Sequence, residues 1–132
     1  MESLNDPVPL VRASAARALG RINAVSWLVV PALSGALKDS DEFVRSSAVS
    51  SIGRFGAEGV QATPALANAL TDPSYPVRIC AAEALGEIGP LSKPVLPALI
   101  EAQRNDHAGL GRFVAAALQK IEHPREVAVV DE

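Results

Sequence analysis

Several features that would indicate a particular chemistry are scarce in this sequence. Its one cysteine, Cys80, cannot form an intrachain disulfide, and no histidines cluster at metal-ligand spacing. No run approaches the roughly 18–20 apolar residues that span a bilayer, and the first residues lack the basic and apolar regions of a signal peptide. We therefore expect a cytoplasmic protein with no metal, no cofactor and no membrane segment.

Aromatic side chains and net positive charge are also lacking. Aromatic residues make up 4% of the sequence, whereas hydrophobic residues reach 48% and are mainly Ala, Val, Leu and Ile. Small aliphatic side chains suit closely packed helices, and 132 residues suit one domain. A net charge of -3 offers no positive field to a phosphate backbone, so we expect no nucleic-acid partner.

What the sequence does contain is an internal repeat of 33 residues. A Val-Arg pair, a glycine, a proline and a leucine recur in step: Val11-Arg12, Val44-Arg45 and Val77-Arg78; Gly20, Gly53 and Gly86; Pro31, Pro64 and Pro97; Leu33, Leu66 and Leu99. A fourth copy is degraded, with Asn105 at the position of Asp39 and Asp72, and Gly111 at the position of the arginine. A period of this length is typical of a solenoid.

Each unit has the pattern of two helices, which we name the first-type and the second-type helix. The second-type helix repeats apolar residues on one face, as in Val11, Ala15, Ala18, Leu19 and Ile22. The first-type helix is shorter and carries its proline in or near the first turn. Aspartates form the turn between the two helices, and glycines help to end the second one: Gly53, Gly56, Gly86 and Gly89.

This pattern predicts the boundaries of the helices and units. We predict seven helices at about 8–20, 26–38, 42–55, 60–71, 75–88, 94–104 and 108–122. They group into units at about 6–24, 25–57, 58–90 and 91–123. Residues 1–123 are therefore expected to form one domain, followed by a flexible tail at 124–132.

The motif Pro-Ala-Leu-x-x-Ala-Leu-x-Asp-x-x-x-x-Val-Arg, at residues 31–45 and 64–78, resembles the HEAT repeats, specifically the short bacterial-type, phycobilin-lyase-like subgroup. The resemblance implies an all-α fold, an α-solenoid in which helical hairpins form a right-handed superhelix. It also implies a hydrogen-bonded ladder between neighbouring units. Its members would be the turn aspartates and the arginines of the second-type helices: Asp6, Arg12, Asp39, Arg45, Asp72 and Arg78.

The resemblance is weakly specific for function, because the family includes scaffolds, lyase subunits and domains appended to enzymes. We expect a non-catalytic protein-protein interaction scaffold that binds a protein or peptide in a groove lined by the second-type helices. The alternative is an accessory subunit of a phycobilin-lyase-like or other enzyme complex.

The predicted groove lies at the outward positions of the second-type helices, which depart from the repetition. Its residues would be Arg17, Arg21, Ser46, Ser50, Arg54, Ile79, Glu83, Glu87 and Arg112, and Ala13 falls in the same outward column as Ser46. The charge changes from three arginines at one end to two glutamates, which suits a protein or peptide partner better than a polyanion.

Other side chains offer little catalytic chemistry. Cys80 has no histidine within a helical turn, so we interpret it as a packing residue. We expect His107 and His123 to be solvated. Trp27 and Tyr75 are expected to pack in the core or at its edge, with interface anchoring as the alternative.

The first helix is of the second type and has no first-type helix to cover it. We expect either an end-to-end homodimer or a fragment of a longer array.

Overall fold

The computed structural model describes residues 2–21, 25–105 and 109–123. These ranges contain helices and turns without a strand. The α-helices are α1 (Pro9–Arg21), α2 (Ser26–Ala36), α3 (Glu42–Arg54), α4 (Thr63–Ala69), α5 (Tyr75–Ile88), α6 (Leu96–Arg104) and α7 (Gly111–Glu122). None of the described helices is long and apolar enough to cross a membrane. Ile22, His107 and the predicted tail at 124–132 lie outside the described residues.

The helices stack in the order of the repeat. The second-type helices α1, α3, α5 and α7 contact one another in series, and the first-type helices α2, α4 and α6 pack on α3, α5 and α7. The core between them repeats with the sequence, because residues one period apart are fully buried: Leu33, Leu66 and Leu99; Val44 and Val77; Ile52 and Leu85. The predicted α-solenoid is thus confirmed.

The first-type helices differ from the prediction in length. Two of them begin as 3-10 segments, Gly56–Ala62 and Gly89–Val95, and become α-helical only at Thr63 and Leu96. Pro64 and Pro97 lie in the first turn of these α-helices and have no backbone N–H, so the α-helical hydrogen-bond pattern cannot run through them into the preceding 3-10 segments.

The first-type helix α2 is an exception. Pro31 lies inside it, not near its first turn as predicted, because the helix starts at Ser26. Residues 26–30 contain neither glycine nor proline, whereas the 3-10 segments at the same register do. The sequence of this unit therefore permits an additional helical turn before its proline.

The repeated glycines serve two different purposes. Gly56 and Gly89 have φ values of 57° and 80°, the left-handed conformation that ends a helix. Gly53 and Gly86 instead lie within α3 and α5, so the prediction that they end these helices is wrong. A Cβ on Gly53 would lie 3.2 Å from the Cα of Ala84, which indicates that the glycine allows close approach of neighbouring second-type helices.

The same close approach occurs between α1 and α3. A Cβ on Gly20 would lie 2.8 Å from the Cα of Ser51. Ser51 is buried, and its hydroxyl donates a 2.7 Å hydrogen bond to the carbonyl oxygen of Ala16. Small residues on both helices therefore set the spacing of this junction.

Helix α1 exposes residues that the repeat pattern assigns to the core. Val11 and Ala18 are exposed, Ala15 and Leu19 are half-buried, and Ala13, predicted to face outward, is buried. Among the described residues, α1 packs mainly on α3 and on the 3-10 segment Glu2–Asn5, whereas α3 packs on α1, α2 and α5. Fewer positions of α1 are therefore covered by a neighbouring helix.

Candidate functional site

The turn before each second-type helix is organised by an aspartate. The side chains of Asp6, Asp39 and Asp72 accept hydrogen bonds from the backbone N–H two residues later, at 2.8–2.9 Å. In the turn before α3, Asp41 also caps the helix by accepting from the backbone N–H groups of Phe43 and Val44. These turns place an arginine one helical turn later at a fixed position.

Arg45 joins two of these turns. Its Nη1 donates to the carbonyl oxygens of Asp39 and Ser40 at 2.8 and 3.2 Å. Its Nε and Nη2 donate to both carboxylate oxygens of Asp72, at 2.8 and 3.0 Å. The result is a bidentate, charge-assisted bridge from one unit to the next.

Arg12 makes the same set of bonds one unit earlier. Its Nη1 contacts the carbonyl oxygens of Asp6 and Pro7, and its Nε and Nη2 donate to Asp39 at 2.8 and 2.9 Å. Asp6 takes part through its carbonyl oxygen and its own turn, and no arginine side chain among the described residues contacts its carboxylate.

Both bridging carboxylates have lowered pKa values. The hydrogen bond from Arg12 is the main cause that holds the pKa of Asp39 below its ordinary value. For Asp72, burial alone would raise the pKa, but the hydrogen bonds from Arg45 and from the backbone of Ser74, with the nearby positive charges, outweigh it. Both aspartates therefore remain ionised through the neutral pH range.

On the other side of the second-type helices, α3, α5 and α7 border a cleft of about 450 Å³. Gly53 and Ala84 contribute to its lining where α3 and α5 approach each other. The polar and charged lining residues are Ser50, Arg54, Cys80, Glu83, Glu87 and Lys120. Four of the predicted groove residues therefore lie together here, namely Ser50, Arg54, Glu83 and Glu87.

The exposed charges change sign along these helices, from three arginines to two glutamates. Arg17, Arg21 and Arg54 are exposed at one end, and Arg54 is oriented by a 3.2 Å hydrogen bond from its Nε to the carbonyl oxygen of Gly20. Glu87 is paired with Lys120 at 2.7 Å, an ion pair that sequence reasoning missed. Glu83 is exposed and has no ion-pair partner within the described ranges.

The other five predicted groove residues lie outside the cleft lining, namely Arg17, Arg21, Ser46, Ile79 and Arg112. Ser46 and Ile79 are only half-buried, and the Ser46 hydroxyl donates to the carbonyl oxygen of Phe43 in its own helix. Arg112 is exposed on α7, with its guanidinium 4.9 Å from the centre of the Phe113 ring. They extend the exposed surface but do not line the cleft.

The structure also locates the remaining candidates. Cys80, interpreted as a packing residue, is half-buried against the core and lines the cleft, where its sulfur lies 3.4 Å from the Ser50 hydroxyl. Trp27 is 71% exposed, so the expectation that it packs in the core or at its edge is wrong. Tyr75 is half-buried against the core, and His123 is exposed.

A second cleft, of about 470 Å³, was missed by sequence reasoning. It lies on the turn side of the molecule between α4, α5 and α6, and its lining includes Leu70, Tyr75, Arg78, Glu101 and Leu110. A signal for it was present in the sequence, because Asn105 replaces the aspartate that the repeat would place opposite Arg78.

Neither cleft combines groups suited to catalysis. In the portion of the chain that the structure describes, no three His, Cys, Asp or Glu residues come together in a way that could hold a metal ion. Cys80 has a serine hydroxyl beside it and no histidine or carboxylate hydrogen-bonded to it. The arrangement offers paired and unpaired charges beside small apolar surfaces, which suits recognition of another molecule.

Comparison with known proteins supports the same interpretation. The HEAT-repeat family model matches residues 1–70 and 52–119, and the chain belongs to this family. HEAT repeats are generally protein-interaction scaffolds. A search of curated proteins finds no match.

Solved structures resemble the chain in fold. The matches include the crystal structure of an engineered protein, a target of the Northeast Structural Genomics Consortium, with a TM-score of 0.70 and 20% sequence identity. The alignment covers 91% of this chain and 60% of that one. At this identity the likeness supports the solenoid fold alone.

Proposed function

We propose that this chain is a non-catalytic interaction module that binds a protein or peptide on the cleft lined by α3, α5 and α7. The observation that carries the proposal is that the residues that build the solenoid repeat, whereas those that line the cleft vary. The core and the turn aspartates repeat from unit to unit, whereas the cleft positions change along the array, since Glu83 replaces Ser50 and Glu87 replaces Arg54 one period later. Sequence variation on a repeated framework is how solenoids acquire individual binding surfaces.

The charges define the partner. Arg17, Arg21 and Arg54 form a positive end, followed by Glu83 and then by the Glu87–Lys120 ion pair. A partner segment with acidic residues at one end and a basic residue near Glu83 would match this order, and such complementarity mainly increases the association rate. The alternative, an accessory subunit of a lyase-like enzyme complex, is not favoured by the family match.

The test uses a photo-crosslinking amino acid at Ser50 to identify the bound protein in cells, followed by affinity measurements with the purified partner. The triple variant Arg17→Glu, Arg21→Glu, Arg54→Glu should weaken binding and make it less salt-dependent. The matched control is Lys38→Glu, Lys93→Glu, Arg104→Glu, which changes the net charge equally at exposed positions outside the second-type helices. Equal loss of affinity in both variants would contradict the proposal.

A second candidate is self-association through the end of the array. Six of the nine large exposed hydrophobic residues in the described ranges fall within the first 28 residues: Val8, Leu10, Val11, Val25, Trp27 and Leu28. Apolar surface concentrated in this way is typical of an interface, and a second copy of the chain could cover it.

The corresponding test is sedimentation velocity over a range of concentrations. Leu10→Glu should abolish any dimer, whereas Phe43→Glu should not, although both side chains are 69% exposed. A wild-type chain that remains monomeric at high concentration would exclude this candidate without affecting the cleft proposal.

A further inference from the structure

Arg78 is the third arginine of the ladder, and it differs from the other two in one respect. Its Nη1 donates to the carbonyl oxygens of Asp72 and Pro73 at 2.6 and 3.2 Å, as Arg12 and Arg45 do in their own turns. Its Nε and Nη2, however, have no carboxylate acceptor among the described residues. We call each arginine–carboxylate pair between units a rung of the ladder. The rungs of Arg12 and Arg45 are closed by an aspartate, whereas the rung of Arg78 is open, with no carboxylate among the described residues.

The residue that would close the rung is Asn105. Its side-chain nitrogen instead donates a 3.2 Å hydrogen bond to Oε2 of Glu101. The other oxygen of Glu101 lies 3.8 Å from Arg104, so this carboxylate is held by groups other than Arg78. Within the described ranges, the bidentate edge of the Arg78 guanidinium therefore has no carboxylate acceptor.

The surroundings hold this guanidinium in place. The carbonyl oxygens of its own turn bind one edge, and its central carbon lies 5.4 Å from the centre of the Tyr75 ring. Arg78 lines the turn-side cleft, whose walls are largely apolar and include Leu70, Ala102 and Leu110. A pre-positioned cation beside apolar walls costs little ordering when a ligand binds.

We propose that Arg78 and the turn-side cleft form a binding site for an acidic side chain of a partner polypeptide, flanked by a small apolar residue. The carboxylate would accept two hydrogen bonds from Nε and Nη2, as Asp39 and Asp72 do from Arg12 and Arg45. The apolar flank would enter the cleft beside Leu70 and Leu110. This site is separate from the charged cleft between α3, α5 and α7 and does not depend on it.

We infer that the ligand group is a carboxylate from the bonds of Arg12 and Arg45. In both of these arginines, Nε and Nη2 donate to the two carboxylate oxygens of an aspartate, at 2.8–3.0 Å. A polyanion is a poorer match, because Glu101 lines the cleft and the chain carries a net charge of -3.

The probe is the chain's own rung segment, the acetylated and amidated peptide Ala-Leu-Thr-Asp-Pro-Ser of residues 69–74. Its binding is followed by NMR up to millimolar concentration, on the Arg78 Nε–H and on the backbone amides of the residues that line the turn-side cleft. We expect shifts at Arg78, Tyr75 and Leu110. A peptide with Asn in place of Asp should bind roughly tenfold more weakly, because it loses a charge-assisted pair.

Two protein variants make the test specific. Asn105→Asp supplies the missing acceptor within the chain, so it should raise the melting temperature and abolish peptide binding. Arg78→Lys keeps the charge but not the bidentate fork, so it should weaken binding, whereas Arg112→Lys should leave it unchanged. Circular dichroism establishes that each variant is folded.

Three outcomes would overturn the proposal. The first is equal binding of the Asp and Asn peptides, and the second is undiminished binding to Asn105→Asp. Asp106 is the next carboxylate in the sequence and lies outside the described residues. Peptide binding that appears only in Asp106→Asn would therefore be the third, because it assigns the Arg78 site to the chain's own carboxylate.

Discussion

Val11 and Val44 occupy the same position of successive repeats, but Val11 is 39% exposed and Val44 is completely buried. The two helices that carry them differ in their neighbours. Helix α3 has α1 on one side, α5 on the other and α2 packed across it, whereas α1 has α3 as its main contact. Identical residues in identical local structure therefore differ in burial because burial in a solenoid depends on adjacent units.

The bridging arginines, in contrast to the valines, have the same hydrogen-bonding environment in both helices. Arg12 and Arg45 make the same bonds with nearly the same distances, although one belongs to α1 and the other to α3. Each bridge needs only the next unit along the chain, and both helices have one. Helix α1 is thus joined to the following unit by the same hydrogen bonds that join α3 to its following unit, although more of its apolar residues are exposed.

The largest expected effect is on the buried valine. Val44→Ala should destabilise the fold by about 2–3 kcal/mol, because it removes buried methyl groups and leaves a cavity. Val11→Ala removes the same atoms from an exposed position and should cost about 0.5 kcal/mol or less. Urea melts of both variants measure the difference. Equal losses would mean that the exposed face of α1 is covered in solution.

The next effect concerns the bridges. Arg45→Ala should cost about 1–3 kcal/mol, because it leaves the largely buried Asp72 carboxylate without its partner. Arg12→Ala should also destabilise the fold, since it removes the same pair of hydrogen bonds from Asp39. Thermal and urea melts provide the comparison. A negligible cost for Arg12→Ala alone would show that α1 detaches from the array without the rest unfolding.

Glycine substitutions probe the spacing of the second-type helices. Gly53→Ala should destabilise by about 1–2 kcal/mol, because crowding against Ala84 outweighs the gain in helix propensity. Gly35→Ala in α2 meets open space and should stabilise slightly. Gly20→Ala has the tighter contact, since its Cβ would lie 2.8 Å from the Cα of Ser51, and should cost more than Gly53→Ala. An equal or smaller cost would indicate that α1 shifts away from α3.

The smallest effect is on the pH dependence. A carboxyl whose pKa is lower in the folded chain stabilises the fold above its unfolded pKa, and this contribution is lost as the pH falls toward the folded value. The pKa values of Asp39 and Asp72 are both lowered, so stability should decline below about pH 4. Urea midpoints between neutral and acidic pH measure this decline.

The two bridges can be compared through the same midpoints. Asp39→Asn and Asp72→Asn should each reduce stability at neutral pH and make its loss in acid less steep. Glu58→Gln, at an exposed position, should change neither quantity. An unaltered acid profile in both Asn variants would remove the bridges as the origin of acid sensitivity.

The fold is largely predictable from this sequence because the repeat supplies each signal several times. The helix order, the turn aspartates and the buried leucines all follow from a period of 33 residues. The proline constraint on the start of α4 is also local, although the prediction placed that start too early. Repetition thus compensates for the weakness of any single pattern.

The features that escape prediction depend on distances between units. Gly53 looks like a helix terminator until the position of Ala84 is known. The exposure of Trp27 and the pairing of Glu87 with Lys120 depend on which helices are adjacent. The lack of a carboxylate for Arg78 among the described residues is recognisable only by comparison with Arg12 and Arg45, which each bind one.

The serine at the first junction has a consequence for assembly. Ser51 faces Gly20 of α1, whereas Ala84 faces Gly53 at the next junction. Chains with near-identical units can misassemble when a helix docks one unit too far along. In that error α1 would meet Ala84, and the carbonyl oxygen of Ala16 would lose the hydroxyl that it accepts from. The hydrogen bond from Ser51 therefore favours docking of α1 on α3 over docking on α5, which has Ala84 at the equivalent position.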